Sequence, residues 1–384
     1  MNTKKNLSIL TIDFGAGGAE RVISILLKEL IKDFNVTLVL FYDFIHYDIP
    51  EEVELEILLP NGNLNNTIYR KAKDTLLISN KYSRLIRSKQ IDVSMSFLAL
   101  PNIVNGITAK RHKNLRTIIS ERCFPSIMYK ANRSSNFLAK YVFPVYYPKN
   151  DHLFSNSEYI NIDLKENFKV NMPMSVVYNP IEIDESNIKS MDSITTTSKL
   201  NVINVGSIYE PKNQKLIIKA LSHLNNGDYH LTILGTGELE HEVKAYTKTN
   251  GLEEAVDFKG KVNNVKDYLI ESDCFVLSSN TEGFPNVVLE AMSAGLPVIS
   301  TNCMSGPLEL LNDNEPVSIP EGEFYEAKYG ILINVNDDKA LAKALHYYKE
   351  NVDIRKHYSK VGFERAKENS LPNIYKQVKE LLIH

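Results

Sequence analysis

Two glutamates eight positions apart, Glu282 and Glu290, bracket the run Gly283-Phe284-Pro285-Asn286-Val287. Proline suits the first turn of a helix, because the amide it lacks would have had no partner within the helix. The spacing therefore predicts a short helix that opens at Pro285 and closes before Gly295. Glu282 then stands just ahead of a helix start, and the amides of Gly283, Phe284, Asn286 and Val287 lack partners within that helix. Donors of this kind bind sugar hydroxyls or a phosphate. Glu290, about one and a half turns in, can accept two hydrogen bonds from vicinal hydroxyls such as those of a ribose. Two plainer uses fit the same spacing: Glu282 as a carboxylate favoured by the helix dipole, and Glu290 as an exposed helical glutamate.

Two further stretches carry candidate chemistry. "VGSIYEPKNQ" sets Gly206 at a strand end and Lys212 in the loop that follows. An ammonium there, beside free helix amides, can neutralise a diphosphate; a solvated surface lysine is the alternative. "GAGGAE", Gly15 to Glu20, joins a strand to a helix, so the amides near Gly17 and Gly18 can face an anion or a sugar, unless the glycines serve only a tight turn. A dinucleotide fingerprint needs glycine or alanine three places after Gly17, where Glu20 stands. Asp43, at the end of the second strand, keeps an NAD-dependent oxidoreductase open as an alternative. No Asp-x-Asp triplet occurs, and Cys123, Cys274 and Cys303 lack metal-ligand spacing, so no metal site and no disulfide framework is expected.

The elements that must position these residues recur in one pattern. "LSILTIDFG" reads as a buried strand, and "RVISILLKELIKDF" repeats apolar residues at three and four positions, as one face of a helix does. Strands "NVTLVLFYD", "IDVSMSFL" and "NLRTIISE" follow, with helical stretches between them. The pattern restarts after about residue 175 with "KLNVINVGSI", "YHLTILGTG", "AVDFKG", "DCFVLSS" and "LPVIST", again alternating with helices. Alternation of this kind predicts two parallel α/β sheets, whose ligands sit on loops at the carboxyl ends of strands.

With these residues in hand, the chain resembles the retaining glycosyltransferases of family four, which have the GT-B fold and an E-x7-E motif. Glu282 and Glu290 with the residues between them match it, followed by "AMSAGLPVIST". "GGAER", "ISE" at Ile119 to Glu121, "SNS" at Ser155 to Ser157, "YNPI" at Tyr178 to Ile181, "GTGEL" at Gly235 to Leu239 and "FKGKVNNV" at Phe258 to Val265 occur in the family's order. The resemblance implies two Rossmann-like α/β domains facing a central cleft: an acceptor domain over residues 1–170, a nucleotide-sugar domain over 171–365, and a last helix, 366–384, returning to the first. It implies that Glu290 binds the ribose, Lys212 the diphosphate and Glu282 the donor sugar. Gly17 and Gly18 would approach the diphosphate or the acceptor, and Val262 and Asn263 would meet the base. Glu121, Gly206 and Ser207 would line the substrate site. Ser207 stands where the family often has arginine, and Arg122 where many members have histidine, so Arg122 is expected to supply charge to the departing diphosphate. Glu282, Arg122 and Lys212 are the expected catalytic residues, without metal or cofactor. A non-catalytic nucleotide-sugar-binding protein is the further alternative.

Charge is uneven. Residues 1–180 carry 23 Lys+Arg against 17 Asp+Glu, residues 181–384 carry 21 against 30, and residues 70–149 alone carry 16 against 3. That basic region suits an anionic membrane surface or a lipid diphosphate; nucleic acid is not expected, because no recognition motif accompanies the charge. The first residues offer too short an apolar run for a signal peptide or a spanning helix. The resemblance then implies a UDP-sugar donor, or less commonly a GDP-sugar. It also implies a polyprenyl-diphosphate-linked glycan acceptor for bacterial surface polysaccharide, and a cytoplasmic location, peripheral at the inner face of the membrane.

Overall fold

The computed structural model describes residues 4–60, 68–130 and 133–384. The side chains of residues 68–73, 130, 133, 134 and 138 also lie outside the described residues, and with them part of the basic stretch 70–149. The chain divides into two compact units, Met1–Glu182 with Leu371–His384, and Ile183–Ser370.

The first unit is built on β1 (Lys5–Thr11), β2 (Phe34–Leu40), β3 (Glu54–Ile57), β4 (Val93–Phe97), β5 (Arg116–Glu121), β6 (His152–Ser155) and β7 (Met174–Val176). They form one sheet in the order β3-β2-β1-β4-β5-β6-β7, every neighbour parallel. Helices α1 (Gly18–Asp33), α2 (Ile68–Ser88), α3 (Ala99–Ala109), α4 (Pro125–Lys130), α5 (Arg133–Tyr146) and α6 (Glu158–Phe168) connect the strands. The last five residues of β1 are all buried, the near-continuous burial of a parallel strand covered on both faces. Helix α1 buries Val22, Ile23, Leu26, Leu27 and Leu30, a stripe at steps of three and four, against that sheet.

The second unit repeats the plan with β8 (Leu200–Val205), β9 (Tyr229–Leu234), β10 (Val256–Gly260), β11 (Cys274–Leu277), β12 (Val298–Thr301), β13 (Phe324–Glu326) and β14 (Ile331–Ile333). Their order is β10-β9-β8-β11-β12-β14-β13, with only the β13–β14 pair antiparallel. Its helices are α7 (Lys215–Leu221), α8 (Glu240–Thr249), α9 (Val265–Glu271), α10 (Asn286–Ser293), α11 (Pro307–Asn312), α12 (Asp338–Glu350) and α13 (Val352–Glu368). Two parallel-sheet α/β units are thus the architecture that the sequence pattern indicates.

The last helix, α14 (Leu371–Ile383), packs Leu371, Ile374, Tyr375, Val378 and Leu382 into the core that β1 and α1 share. A buried side chain of this size contributes about 1.5–3 kcal/mol. Tyr375 Oη donates to Asp33 Oδ2 at 2.5 Å, and Arg116 Nε donates to the Leu381 carbonyl at 2.9 Å. The division between units falls later than residues 170/171, because β7 pairs with β6 and so belongs to the first sheet. The second unit likewise runs to Ser370 rather than 365, because α13 still buries Tyr358 and Ala366 there.

Each sheet reverses its strand order beside its first strand, at β1/β4 and at β8/β11. Loops leaving the carboxyl ends of such neighbouring strands splay to opposite sides and leave a crevice for a ligand. In the second unit those loops carry Lys212 and Glu282.

Candidate functional site

Strand β8 ends at Val205, and the chain turns from Gly206 through Glu210–Lys212 into α7. The Lys212 side chain passes Gly206, where a side chain would lie 3.9 Å from its Cε. Lys212 Nζ then reaches Glu282 Oε1 at 2.6 Å, with side-chain exposures of 19% and 9%. Gly235, at the end of β9, lets the neighbouring loop approach: a Cβ there would stand 2.0 Å from the Gly206 carbonyl oxygen. Only glycine fits that contact.

The β11 end supplies the other half. Ser278 Oγ donates to the Lys212 carbonyl at 2.8 Å, and Ser279 Oγ donates to Glu282 Oε1 at 2.6 Å. Thr301, at the end of β12, donates through Oγ1 to the Ser279 carbonyl at 2.6 Å. Ser278, Ser279 and Thr301 are fully buried. The Lys212–Glu282 pair is therefore held by adjacent strand ends, its cation anchored through the main chain and its anion through a hydroxyl.

The helix start differs from the expectation. Pro285 has φ −79° and ψ 85°, and the Asn286 amide donates to the Phe284 carbonyl at 3.0 Å. This inverse γ-turn places Pro285 outside the helix, α10 begins at Asn286, and the Asn286 amide is not an open donor. The Phe284 and Pro285 side chains are buried, and Asn286 and Val287 are half-buried. The Gly283 carbonyl accepts from Ser305 Oγ at 2.6 Å. Glu290 is half-buried in the second turn of α10. Ser207 is exposed, and in the loop after β10 Val262 is half-buried and Asn263 exposed.

In the first unit, Gly17 caps α1 and Gly18 begins it. The Glu20 carboxylate folds back over them: a Cβ on Gly17 would lie 2.1 Å from Glu20 Oε2. Glu20 is buried, which pushes its carboxyl above the ordinary value, with the Asp13 charge adding to the rise. A negative group already over the loop disfavours a diphosphate there, and hydroxyls are the ligands it suits.

Glu121 and Arg122 are both buried at the end of β5. Glu121 is fully buried there; Tyr147 Oη donates to its Oε2 at 2.7 Å, and the Arg122 amide donates to Oε1 at 3.3 Å. Burial pushes its carboxyl up to about 7, against the opposing pull of those donors. The Arg122 guanidinium is also buried and lies 5.9 Å from the ring centroids of both Phe97 and Phe154. It donates to Asn179 Oδ1 and, at 3.5 Å, to Ser120 Oγ. Its fork is occupied within its own unit, tying the end of β5 to the segment after β7. Among the described residues no group of three or more His, Cys, Asp or Glu could hold a metal ion. Cys303, near Glu282, is held up at about 12 by burial and by that carboxylate's charge.

Residues 16–185 match the family described as Glycosyltransferase Family 4, and residues 188–365 match that described as Glycosyl transferases group 1. The chain is 32% identical over 364 residues to a protein of Campylobacter jejuni, covering 94% of this chain and 95% of that one. That protein is the N-acetylgalactosamine-N,N'-diacetylbacillosaminyl-diphospho-undecaprenol 4-alpha-N-acetylgalactosaminyltransferase. This chain belongs to the family-four glycosyltransferases.

The fold is correspondingly that of GT-B enzymes. The lipopolysaccharide outer core galactosyltransferase WaaB superposes with TM-score 0.74 at 18% identity, covering 98% of both chains. Anabaena HepE, solved with UDP and glucose, superposes with TM-score 0.72 at 16% identity, covering 98% of this chain and 99% of that one. The matches are to glycosyltransferases, and the dehydrogenase alternative falls with them.

In this glycosyltransferase the motif spacing points to Lys212 and Glu282 but not to the hydroxyls that hold them. Ser278 and Ser279 stand directly after an apolar strand and ahead of the glutamate, a visible signal that hydroxyls were available at that strand end. Glu20 sits at the third helical position after a capping glycine, the place of the carboxylate in a capping box. Tyr147 and Asn179 gave no signal, since nothing in a sequence shows that residues 26 and 57 positions away from their partners will meet them.

Proposed function

We propose that this glycosyltransferase moves an N-acetylhexosamine or hexose, with retention, from a UDP-sugar to a polyprenyl-diphosphate-linked glycan of a bacterial surface polysaccharide. The observation that carries the reading is the Lys212–Glu282 contact at the ends of β8 and β11, the strand-order reversal where nucleotides bind such sheets. Lys212 carries three N–H donors, so one can hold Glu282 while others meet the diphosphate. Glu282 faces the donor sugar and Glu290 the ribose hydroxyls; Val262 and Asn263 border the base.

Transfer breaks the bond from C1 of the sugar to the diphosphate oxygen and forms one from C1 to the acceptor oxygen. The acceptor proton passes to the departing diphosphate. The protein's part is positioning and charge stabilisation, with Lys212 and loop amides absorbing leaving-group charge without a metal. Support for N-acetylgalactosamine as the sugar comes from the printed activity of the Campylobacter relative, and support for UDP from the HepE complex.

The enzyme works at the cytoplasmic face of an anionic membrane. Among the described residues no helix is long and apolar enough to cross a membrane. Phe137, Tyr141 and Val145, all exposed, recur every fourth position along α5, and Ile127 and Met128 are exposed on α4. Lys140 lies beside them, its Nζ 5.6 Å from the Tyr141 ring centroid. An apolar stripe with a cation beside it suits the headgroup region, and a nearby basic residue adds about 1 kcal/mol on an anionic leaflet.

Thermal unfolding against UDP, GDP, their sugars and NADH tests the nucleotide reading. Ligand at a hundred times its Kd stabilises the native state by about 2.7 kcal/mol, so UDP and one UDP-sugar should raise the melting temperature by several degrees. A rise with NADH and none with any nucleotide sugar sinks the proposal. Flotation with vesicles should depend on anionic lipid and weaken in Phe137→Ser/Tyr141→Ser; flotation indifferent to lipid charge removes the membrane part.

A further inference from the structure

Both described hydrogen bonds to the Glu282 carboxylate fall on one oxygen. Lys212 Nζ and Ser279 Oγ each meet Oε1 at 2.6 Å. A carboxylate held by two donors on one oxygen is fixed about its terminal torsion, which in glutamate is otherwise broad and roughly two-fold. Its second oxygen is then aimed. The donors arrive from two directions, Lys212 from the loop after β8 and Ser279 from the end of β11. Ser279 is itself immobilised, being fully buried with its carbonyl bonded to Thr301 Oγ1.

Its neighbour does the matching task on the other partner. Ser278, also fully buried, bonds the Lys212 main chain at 2.8 Å. Two consecutive serines at one strand end thus act on the cation and the anion of the same pair, Ser278 through the lysine backbone and Ser279 on the carboxylate directly.

We propose that Ser279 is a positioning residue: by holding Glu282 Oε1 together with Lys212, it presents Oε2 to a hydroxyl of the donor sugar before the sugar arrives. The inference rests on the reading that Glu282 faces the sugar. A carboxylate already oriented reacts to the sugar without a reorganisation step, which is how a supporting hydroxyl raises affinity for the sugar part of the ligand without touching it.

The experiment measures the affinity of the full chain for UDP-N-acetylgalactosamine and for UDP, in wild type, Ser279→Ala, Glu282→Gln and the double variant. The ratio of the two affinities isolates the sugar contribution. Ser279→Ala should reduce that ratio about tenfold, the scale of one charge-assisted hydrogen bond, while UDP affinity changes less than about twofold. Because Ser279 acts through Glu282, the double variant should lose no more than Glu282→Gln alone. Ser279→Thr, which keeps the hydroxyl, should recover the ratio. If Ser279→Ala does not fold, Ser279→Cys, similar in size with a weak S–H donor, carries the same expectation. An unchanged ratio in Ser279→Ala, or losses that add in the double variant, overturns the inference. A ratio unchanged in Glu282→Gln itself instead overturns the reading of Glu282 on which it rests.

Discussion

Lys212 Nζ and Glu282 Oε1 stand 2.6 Å apart although they are 70 positions apart in the chain. Their pairing brings the two loops of the β8/β11 reversal to one point. Coulomb attraction between partly buried charges is stronger than in water, and breaking such a pair leaves the remaining charge desolvated.

Lys212→Ala removes the partner of Glu282 and, on the proposed reading, the cation for the diphosphate. UDP affinity should fall roughly 10- to 100-fold, the scale of one lost hydrogen bond to a charged group, and turnover should fall at least as much. Lys212→Arg should recover only part of either, because a planar fork does not replace a compact ammonium. Calorimetric titration with UDP reads the first effect, and steady-state transfer the second.

Arg122 is predicted to matter for the first unit rather than for the nucleotide. Arg122→Met keeps bulk between Phe97 and Phe154 but removes the donor to Asn179, at a cost of about 1–3 kcal/mol. The melting temperature should drop by a few degrees while UDP affinity stays within about twofold. A large loss of UDP affinity at unchanged stability would restore the arginine to the leaving group.

Glu121 gives a pH dependence whose sign is fixed. Its carboxyl rises from the ordinary 4.5 to about 7 on folding, so across that window the folded chain holds a proton that the unfolded chain has lost. Stability present below pH 4.5 is lost as pH climbs toward 7, by at most about 3 kcal/mol. Glu121→Gln still accepts from Tyr147 and cannot ionise, so its melting temperature relative to wild type should be several degrees higher at pH 8 than at pH 4.5. An equal difference at both pH values would contradict the assignment.

Metal independence is tested by chelation. Excess EDTA should leave the transfer rate within about twofold if, as proposed, Lys212 and loop amides carry the electrostatic task. Activity abolished by chelator and restored by magnesium or manganese would contradict this.

How far the sequence reveals this protein depends on the range of each interaction. Alternating apolar runs announced both sheets, because burial on two faces leaves its mark on consecutive residues, as in β1 and β11. The Glu282-to-Glu290 spacing was legible because it lies within one loop and helix. The true start of α10 was not, because Pro285 forms a γ-turn that only the neighbouring backbone selects. The burial of Glu121 and Arg122 escaped for a different reason: charged residues at a strand end read as exposed until Tyr147 and Asn179 fold over them. In the sequence Glu20 only breaks a dinucleotide fingerprint, whereas in the fold its carboxylate occupies the space above Gly17.

The role of Glu282 is read directly from transfer of N-acetylgalactosamine from UDP-N-acetylgalactosamine to a synthetic polyprenyl-diphosphate-linked glycan, with the anomeric configuration of the product determined by NMR. Wild type should give an α-linked product, and Glu282→Gln a kcat lower by about a hundredfold or more, the scale of one lost electrostatic contact in the transition state. A β-linked product, or full turnover by Glu282→Gln, would contradict the proposal.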